Sequence, residues 1–244
     1  LLKRMQSVAF DWHNYGNSTI GNRSDIENVK IENLQAFYRQ YYQPDNAVLL
    51  VAGKFDEART LQWIAKYFSP IAKPKRILPK LWTTEPTQDG ERSFMVRRKG
   101  DIQIVLAGYK VPSGLHDDAD ALGYVNFALT NAPSGRLHKA LVETGKAVQI
   151  IGYPLLGVDT GLHMIGAAVK KGEPIEPIQA EITRIVEDFY KNPPTAEEME
   201  RARKSFANSA ELALNNHENI GLQLSEYIAL GDWRLFFQGR DRAE

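Results

Sequence analysis

Histidine is the residue type best suited to metal or acid–base chemistry in this sequence, and its five copies are dispersed. A zinc site built without cysteine is most readily recognised as two histidines four residues apart on one helix, with a glutamate beside them. The chain has no cysteine, which also excludes disulfides and thiol catalysis. No two histidines are close enough to form such a pair: they are His13, His116, His138, His163 and His217.

The densest cluster of potential ligands is His116-Asp117-Asp118-Ala119-Asp120. Carboxylate oxygens and imidazole nitrogens of this kind bind divalent cations, and an enzyme acting on a small molecule could use them. The alternative is a loop whose aspartates cap the following helix and favour its dipole. Capping is the commoner arrangement and is the interpretation that we adopt.

Two further groups of residues resemble chemical sites only in part. The segment Asn131 to Arg136 leads into a helix, where an anion can bind, but it lacks the glycine spacing of a phosphate loop. Ser134, Ser205 and Ser209 lack the Gly-x-Ser-x-Gly elbow of many serine hydrolases. We therefore interpret both groups as structural, and spacing alone predicts no active site.

Composition narrows the choice of function classes. The 244 residues include 30 Lys+Arg and 30 Asp+Glu, so the formal net charge is zero and no basic face for a phosphate backbone is expected. No apolar run approaches the roughly 18 to 20 residues that span a bilayer. Nucleic acid and a membrane span are both excluded, and the length suits one large domain or two small ones.

The first 72 residues predict a helix–strand–helix unit packed in two layers. Ser24-Asp25-Ile26-Glu27 forms a capping-box pattern, and the amphipathic helix that follows ends before Pro44. The apolar run Asn46 to Gly53 predicts a buried central strand, and Asp56 caps the next helix. The first helix carries an aromatic stripe that we predict to lie in the core: Phe37, Tyr38, Tyr41 and Tyr42.

A proline-interrupted, basic segment, 73–90, predicts a linker, and an α+β unit follows it. Trp233, close to the end of the last long helix, is predicted to anchor domain packing. The predicted strands of this unit are 92–99, 102–111, 147–153 and 162–169, the last two forming a hairpin. Its predicted helices are 117–130, 135–144, 175–189, one opening at Thr195 and one ending near Gly231.

Several segments, taken in order, resemble the insulinase/pitrilysin family of zinc peptidases, which includes mitochondrial processing peptidase and bacterial zinc proteases. The matching segments are His13-Asn14-Tyr15-Gly16, the run Leu34 to Gly53 with its Pro44-Asp45-Asn46-Ala47, Ser134 to Gly145, Thr195 to Lys204, and Gly231-Asp232-Trp233-Arg234.

The resemblance implies two homologous metallohydrolase-type (processing-peptidase-like) two-layer α/β units, both truncated, and hence an α+β fold class. Residues 1–72 would be the C-terminal part of the first homologous domain and 73–90 a linker. Residues 91–244 would be most of the second, non-zinc-binding domain. The chain opens at Leu1 without an initiator methionine, and we expect both ends to be cuts in a longer protein.

The resemblance also implies that the catalytic apparatus lies outside this chain. The family's zinc motif, His-x-x-Glu-His, belongs upstream, so the full-length protein would hold zinc and this chain would contain no metal ligand and no catalytic residue. Active members use an Arg and a Tyr in a later domain, but the matching positions here are Val142 and a residue at or near Val148. Only Gly135 remains of the family's glycine-rich loop at Asn131 to Gly135.

The resulting prediction is a part of a zinc-dependent metalloendopeptidase that forms substrate-chamber wall and scaffold and is inactive alone. Its implied partners are peptide substrates and other homologous domains of the same chain or a partner subunit. The alternative is a non-catalytic family member that acts as a structural or regulatory partner of an active subunit. Exported bacterial relatives suggest a periplasmic location.

Overall fold

The computed structural model describes residues 1–238, so the last residues of the predicted second unit, 239–244, lie outside the described residues. A three-stranded antiparallel sheet in the order β1-β3-β2 comprises β1 (Ile102–Val111), β2 (Gln149–Leu155) and β3 (Gly161–Lys170). The helices are α1 (Leu2–Ala9), α2 (Arg23–Asn28), α3 (Ile31–Tyr41), α4 (Glu57–Phe68), α5 (Ala119–Thr130), α6 (Glu176–Glu187), α7 (Ala196–Leu214) and α8 (His217–Leu230).

The central strand β3 is buried on both faces, because its alternate side chains pack into two different clusters. On one face Ile165, Ala167 and Val169 lie in the main core with α6, which contributes Ile178 and Ile182. A short π-helical turn, His138–Val142, adds Leu141 to the same core. This alternation fixes the register of the β2–β3 hairpin.

The opposite face of β3 is covered near its start by the N-terminal segment. Leu162 and Met164 pack with Met5 of α1 and with Phe10, which follows that helix. Phe94 and Leu106 lie against the same cluster. Residues 1–10, to which the sequence assigned no element, are therefore part of the sheet's packing.

Most elements of the second unit confirm the sequence predictions. The strand at 102–111, the hairpin and the helices α5 to α8 all lie within a few residues of their predicted bounds. The capping box at α7 is present: Thr195 Oγ1 accepts from the Glu198 amide at 3.2 Å and a Glu198 carboxylate oxygen accepts from the Thr195 amide at 2.8 Å. Helix α8 ends at Gly231 with a φ of 108°, and Asp56 caps α4 as predicted.

The predicted buried strand Asn46 to Gly53 is wrong: these residues form no strand, and the run Val48 to Val51 is between 38% and 68% exposed. A strand needs a neighbour that pairs its backbone groups, and none of the described residues supplies one here. The run instead touches α8, where a Cβ built on Gly221 would lie 3.3 Å from Cβ of Ala52.

The aromatic stripe of α3 is also not core, which corrects the predicted two-layer packing of residues 1–72. Phe37, Tyr38 and Tyr42 are each more than half exposed, and they contact one another, with ring centroids of Tyr38 and Tyr42 5.1 Å apart. Leu61 and Phe68 of α4 are likewise exposed. In the described part of the chain, no layer of side chains covers these helices.

The capping box predicted at Ser24-Asp25-Ile26-Glu27 does not form. Helix α2 begins at Arg23 and follows Asn22, and Ser24 Oγ lies 3.5 Å from the neighbouring Asp25 carboxylate. The Glu27 carboxylate instead forms an i,i+4 ion pair with Arg23 at 2.6 Å, so it does not accept the backbone hydrogen bond that a capping box requires. The helix stops at Asn28, where the next residue, Val29, is extended, and α3 starts as a separate element at Ile31.

The strand predicted at 92–99 is likewise absent. Arg92 is drawn to Asp11 by two hydrogen bonds of 2.8 and 2.5 Å, and Phe94 packs on the cluster around α1. These contacts direct the segment towards α1 instead of along the edge of β1.

Candidate functional site

Three of the five histidines form hydrogen bonds with other groups among residues 1–238: His13, His116 and His163. His13 accepts a hydrogen bond from the Tyr15 amide through Nδ1 at 3.2 Å, and its Nε2 lies 3.1 Å from the Asp159 carboxylate. His163 is buried on β3 with Nε2 3.0 Å from Oδ1 of Asn126. Burial lowers the pKa of His163, which favours the neutral ring.

The His116–Asp120 cluster is a helix start. His116 Nδ1 accepts from the Asp118 amide at 3.1 Å, and Asp120 places a negative charge in the first turn of α5. Asp118 occupies the N-cap position without a side-chain capping bond, so the predicted cap by this aspartate does not form, and its own amide donates to the imidazole of His116.

No metal site follows from these positions. Within residues 1–238 there is no group of three or more His, Asp or Glu side chains that could hold a metal ion. His138 Nδ1 is buried without a hydrogen-bond partner among the described residues, and the nearest carboxylate reported beside it, Glu143, lies 3.9 Å away. One imidazole and one carboxylate do not make the tetrahedral donor set of zinc, so these residues do not fit that ion.

The loop Asn131 to Gly135 is a tight structural turn. The Gly135 amide donates to the Asn131 carbonyl at 2.6 Å, and a Cβ at Gly135 would lie 2.6 Å from the Asn131 nitrogen, so only glycine fits. Ser134 Oγ accepts from the Asn131 side chain at 3.2 Å. No hydrogen bond in the described part of the chain joins Ser134, Ser205 or Ser209 to a histidine.

Arg136 begins the helical segment after this loop, and its guanidinium is occupied by hydrogen bonds within the protein. Its guanidinium makes two hydrogen bonds to the Glu198 carboxylate at 2.9 and 2.7 Å and donates to the carbonyls of Asn192 and Pro193. The paired Arg136 and the Thr195 amide outweigh desolvation and lower the pKa of Glu198 to about 2. A cation engaged in this way is not available for an external anion.

The side chains of Val142 and of Val148, which lie at or near the positions that the resemblance matches to the family's Arg and Tyr, cannot donate hydrogen bonds to a substrate. Val142 ends the π-helical turn and packs against the main core. Val148 is half exposed, and its backbone amide donates to the Ala168 carbonyl at 2.8 Å. Trp233, predicted as a packing anchor, is also half exposed, with Phe237 as its ring neighbour at 6.0 Å.

The most heavily hydrogen-bonded carboxylate is one that sequence reasoning missed. Glu85 has a side chain only 3% exposed and accepts from the amides of Asp11, Trp12 and His13 at 2.9, 3.2 and 3.0 Å. Lys110 adds an ammonium at 2.6 Å. Burial would raise the pKa of this carboxyl group, but these donors outweigh it and lower the pKa to about 2.

Residues 28–206 match the family whose model is described as the Peptidase M16 inactive domain. The chain belongs to that family. This result confirms the resemblance to insulinase-type zinc peptidases and agrees with the absence of a fitting metal site in the described residues.

Two curated relatives show how much of a longer protein this M16 chain covers. The zinc protease PqqE of Helicobacter pylori is 26% identical over 232 residues, which are 94% of this chain and 52% of that protein. Presequence protease 1 of Arabidopsis thaliana is 24% identical over 209 residues, which are 79% of this chain and 19% of that protein. The chain thus spans about half the length, or less, of these relatives.

Solved structures confirm the fold class. A protease from Helicobacter pylori superposes with a TM-score of 0.91 at 25% identity, covering all of this chain and 60% of that one. An inactive peptidase domain from Bordetella parapertussis is 37% identical over 61% of this chain and 81% of that one, with a TM-score of 0.55. An M16 inactive domain from Pseudomonas fluorescens shares the fold, with a TM-score of 0.84 at 16% identity over 99% of this chain and 57% of that one.

None of the helices described here is both long and apolar enough to cross a membrane.

Proposed function

We propose that this M16 inactive domain forms wall and scaffold in a zinc-dependent endopeptidase whose metal site lies in another part of the protein. The named zinc proteases among its relatives support the reaction class, and peptides are then the substrates. The lack of a fitting zinc site within residues 1–238 supports a non-catalytic role for this part. The proposed layout keeps 1–72 as part of one homologous domain, 73–90 as linker and 91–244 as most of the next.

The observation that carries the proposal is the exposed apolar surface of α3, the run 47–52 and α4, here called the α3–α4 surface. Phe37, Tyr38, Leu49, Leu61 and Phe68 are among its members, and each is more than half exposed. Exposed large apolar side chains concentrated on three successive segments in this way indicate surface that a partner covers. We assign it to the remainder of the same homologous domain, which is consistent with the half-length match to PqqE.

The experiment compares the 244-residue chain with its full-length parent. The isolated chain is expected to carry no stoichiometric zinc by elemental analysis and to leave a fluorogenic peptide intact. The parent, measured in parallel, is expected to carry zinc and to cleave the peptide until a chelator is added. One equivalent of zinc with chelator-sensitive cleavage in the isolated chain would overturn the proposal.

The second candidate is a non-catalytic family member that holds or regulates an active subunit. Val142 and Val148 favour it, because neither side chain can replace the Arg and Tyr that the resemblance implies for active members. A parent that lacks His-x-x-Glu-His, carries no zinc and co-purifies with an active peptidase subunit would establish this alternative and exclude the first.

A further inference from the structure

The predicted linker, 73–90, lies between α4 and β1, and it contains the most enclosed carboxylate described above. Residues 72–101 form no helix or strand, which is the usual condition for a mobile connector. Glu85 lies in the middle of it, and its carboxylate receives four donors from two distant parts of the chain.

Three of those donors are consecutive backbone amides, of Asp11, Trp12 and His13, in the loop that follows α1. Consecutive amides that converge on one anion form a concave site whose partial positive charges add. The fourth donor, Lys110, belongs to β1 and brings a full charge. One side chain therefore joins the connector, the N-terminal loop and the sheet.

Two arginine pairs fix the connector on either side of this point. Arg76 makes a two-bond pair with Asp45, at 2.7 and 2.9 Å, and also donates to the Gln40 carbonyl. Arg92 makes a second two-bond pair, with Asp11. Two-bond arginine–carboxylate pairs restrict geometry more than single contacts do.

The N-terminal loop is in turn held on the hairpin that joins β2 and β3. Tyr15 Oη accepts from the Val158 amide at 3.0 Å, and a Cβ at Gly157 would collide with the Tyr15 ring. His13 faces Asp159 across the same gap. The loop that receives Glu85 is therefore already fastened to the sheet.

We propose that Glu85 is a clamp that turns residues 76–92 from a flexible connector into a fixed strap across the N-terminal loop and the sheet. The consequence is mechanical: residues 1–16, the strap and the sheet move as one body, so a hinge cannot lie within 76–92. This inference concerns the chain's own rigidity and holds whether the parent is a peptidase or a non-catalytic partner.

The test is hydrogen–deuterium exchange of the 244-residue chain at neutral pH. Glu85→Gln places an amide group against the donors, so exchange of the amides at 11–13, which donate to the carboxylate, is expected to rise at least tenfold. Glu91→Gln, which neutralises an exposed carboxylate within the strap, is the matched control and should leave the rates unchanged. Amides of β3 report that the fold is intact.

Two outcomes would overturn the proposal. One is unprotected amides at 11–13 in the unsubstituted chain, and the other is unchanged protection of these amides in Glu85→Gln. Should Glu85→Gln also unprotect β3, Lys110→Met takes its place. That variant keeps the carboxylate and its three amide donors, so exchange at 11–13 should rise several-fold with β3 unchanged; no rise there would equally contradict the clamp.

Discussion

At the scale of single residues, the chain encloses two carboxylates and supplies each with several donors. Glu85 and Glu198 both hold pKa values of about 2, although desolvation works in the opposite direction at each site. The donors differ: Glu85 relies on backbone amides and Lys110, whereas Glu198 relies chiefly on Arg136. Both carboxylates are therefore ionised in the folded protein at neutral pH, and each contributes to stability there.

Glu198 gives the first quantitative expectation. A folded pKa of about 2 against an ordinary 4.5 corresponds to about 3 kcal/mol of stability, present above pH 4.5 and lost as the pH falls towards 2. Glu198→Gln should lower the free energy of unfolding at pH 7 by about 2 to 3 kcal/mol, measured by urea denaturation. It should also flatten the decline of stability between pH 4.5 and 2.

The neighbouring Glu197 provides the control for this prediction. Its side chain is 83% exposed, and its i,i+4 pair with Arg201 is of the kind that contributes little. Glu197→Gln should change stability by less than about 0.5 kcal/mol. Equal losses in the two variants would show that α7 responds to charge in general and not to the Arg136 pair.

The contrast between these residues also shows what sequence can reveal about single positions. The capping partner of Glu198, Thr195, is only three residues away, so the local sequence pattern predicted the start of this helix correctly. The capping box at Ser24 had the same pattern but failed, because Arg23 competed for Glu27. No sequence pattern identified Glu85 as an enclosed carboxylate, because its amide donors lie more than 70 residues before it. A glutamate beside a proline is not by itself distinctive in sequence.

At the scale of elements, β3 is the strand on which the described fold depends. Strand β1 approaches it closely at Gly166, where an added Cβ would collide with the Val105 carbonyl of β1. Main-chain atoms of a paired strand cannot move aside without breaking the ladder, so the site tolerates only glycine.

Gly166→Ala is accordingly expected to destabilise the chain by about 3 kcal/mol or more, or to prevent folding, measured by thermal unfolding and soluble yield. Gly100→Ala serves as the control, because a Cβ there meets no atom within 4 Å and the backbone is not left-handed. A Gly166→Ala chain as stable as Gly100→Ala would mean that β1 and β3 are not paired as described.

Whether an element could be predicted depends on how far along the sequence its interaction partners lie. Helices α5 to α8 and the β2–β3 hairpin were predictable, because caps, helical spacing and a turn are local features. The run at 46–53 and the segment at 92–99 have the composition of strands, but a strand exists only when another strand pairs with it. That information is absent from a local pattern, and so both predictions were wrong.

At the scale of the whole molecule, the distribution of apolar residues is uneven. The main core and the α1 cluster are closed around the sheet, while the α3–α4 surface stays open in the described part of the chain. A chain that spans about half of its relatives' length would be expected to carry such a surface. The resemblance to the insulinase/pitrilysin family, which the match to the M16 inactive domain confirms, was recognised from the order of the motifs and not from the geometry of any site.

The proposed assignment of that surface can be tested by association. The 244-residue chain, mixed with the remaining N-terminal segment of its parent, should bind it, and Phe37→Ser should weaken the affinity at least tenfold by calorimetry, since a buried Phe contributes about 1.5 to 3 kcal/mol. Tyr190→Ser, an exposed aromatic away from α3 and α4, should bind as tightly as the unsubstituted chain. Unchanged affinity in Phe37→Ser would remove the surface from the interface.

The contacts of Tyr15 with the β2–β3 turn have a consequence for biosynthesis. Val158 leaves the ribosome 143 residues after Tyr15, which at about 5 to 20 residues per second is a delay of roughly 7 to 30 s. During that interval Met5 and Phe10, which precede the hairpin in the chain, have no hairpin to cover. Helix α1 is thus synthesised well before the hairpin and packed late, and nascent-chain chaperones would meet it before its own sheet does.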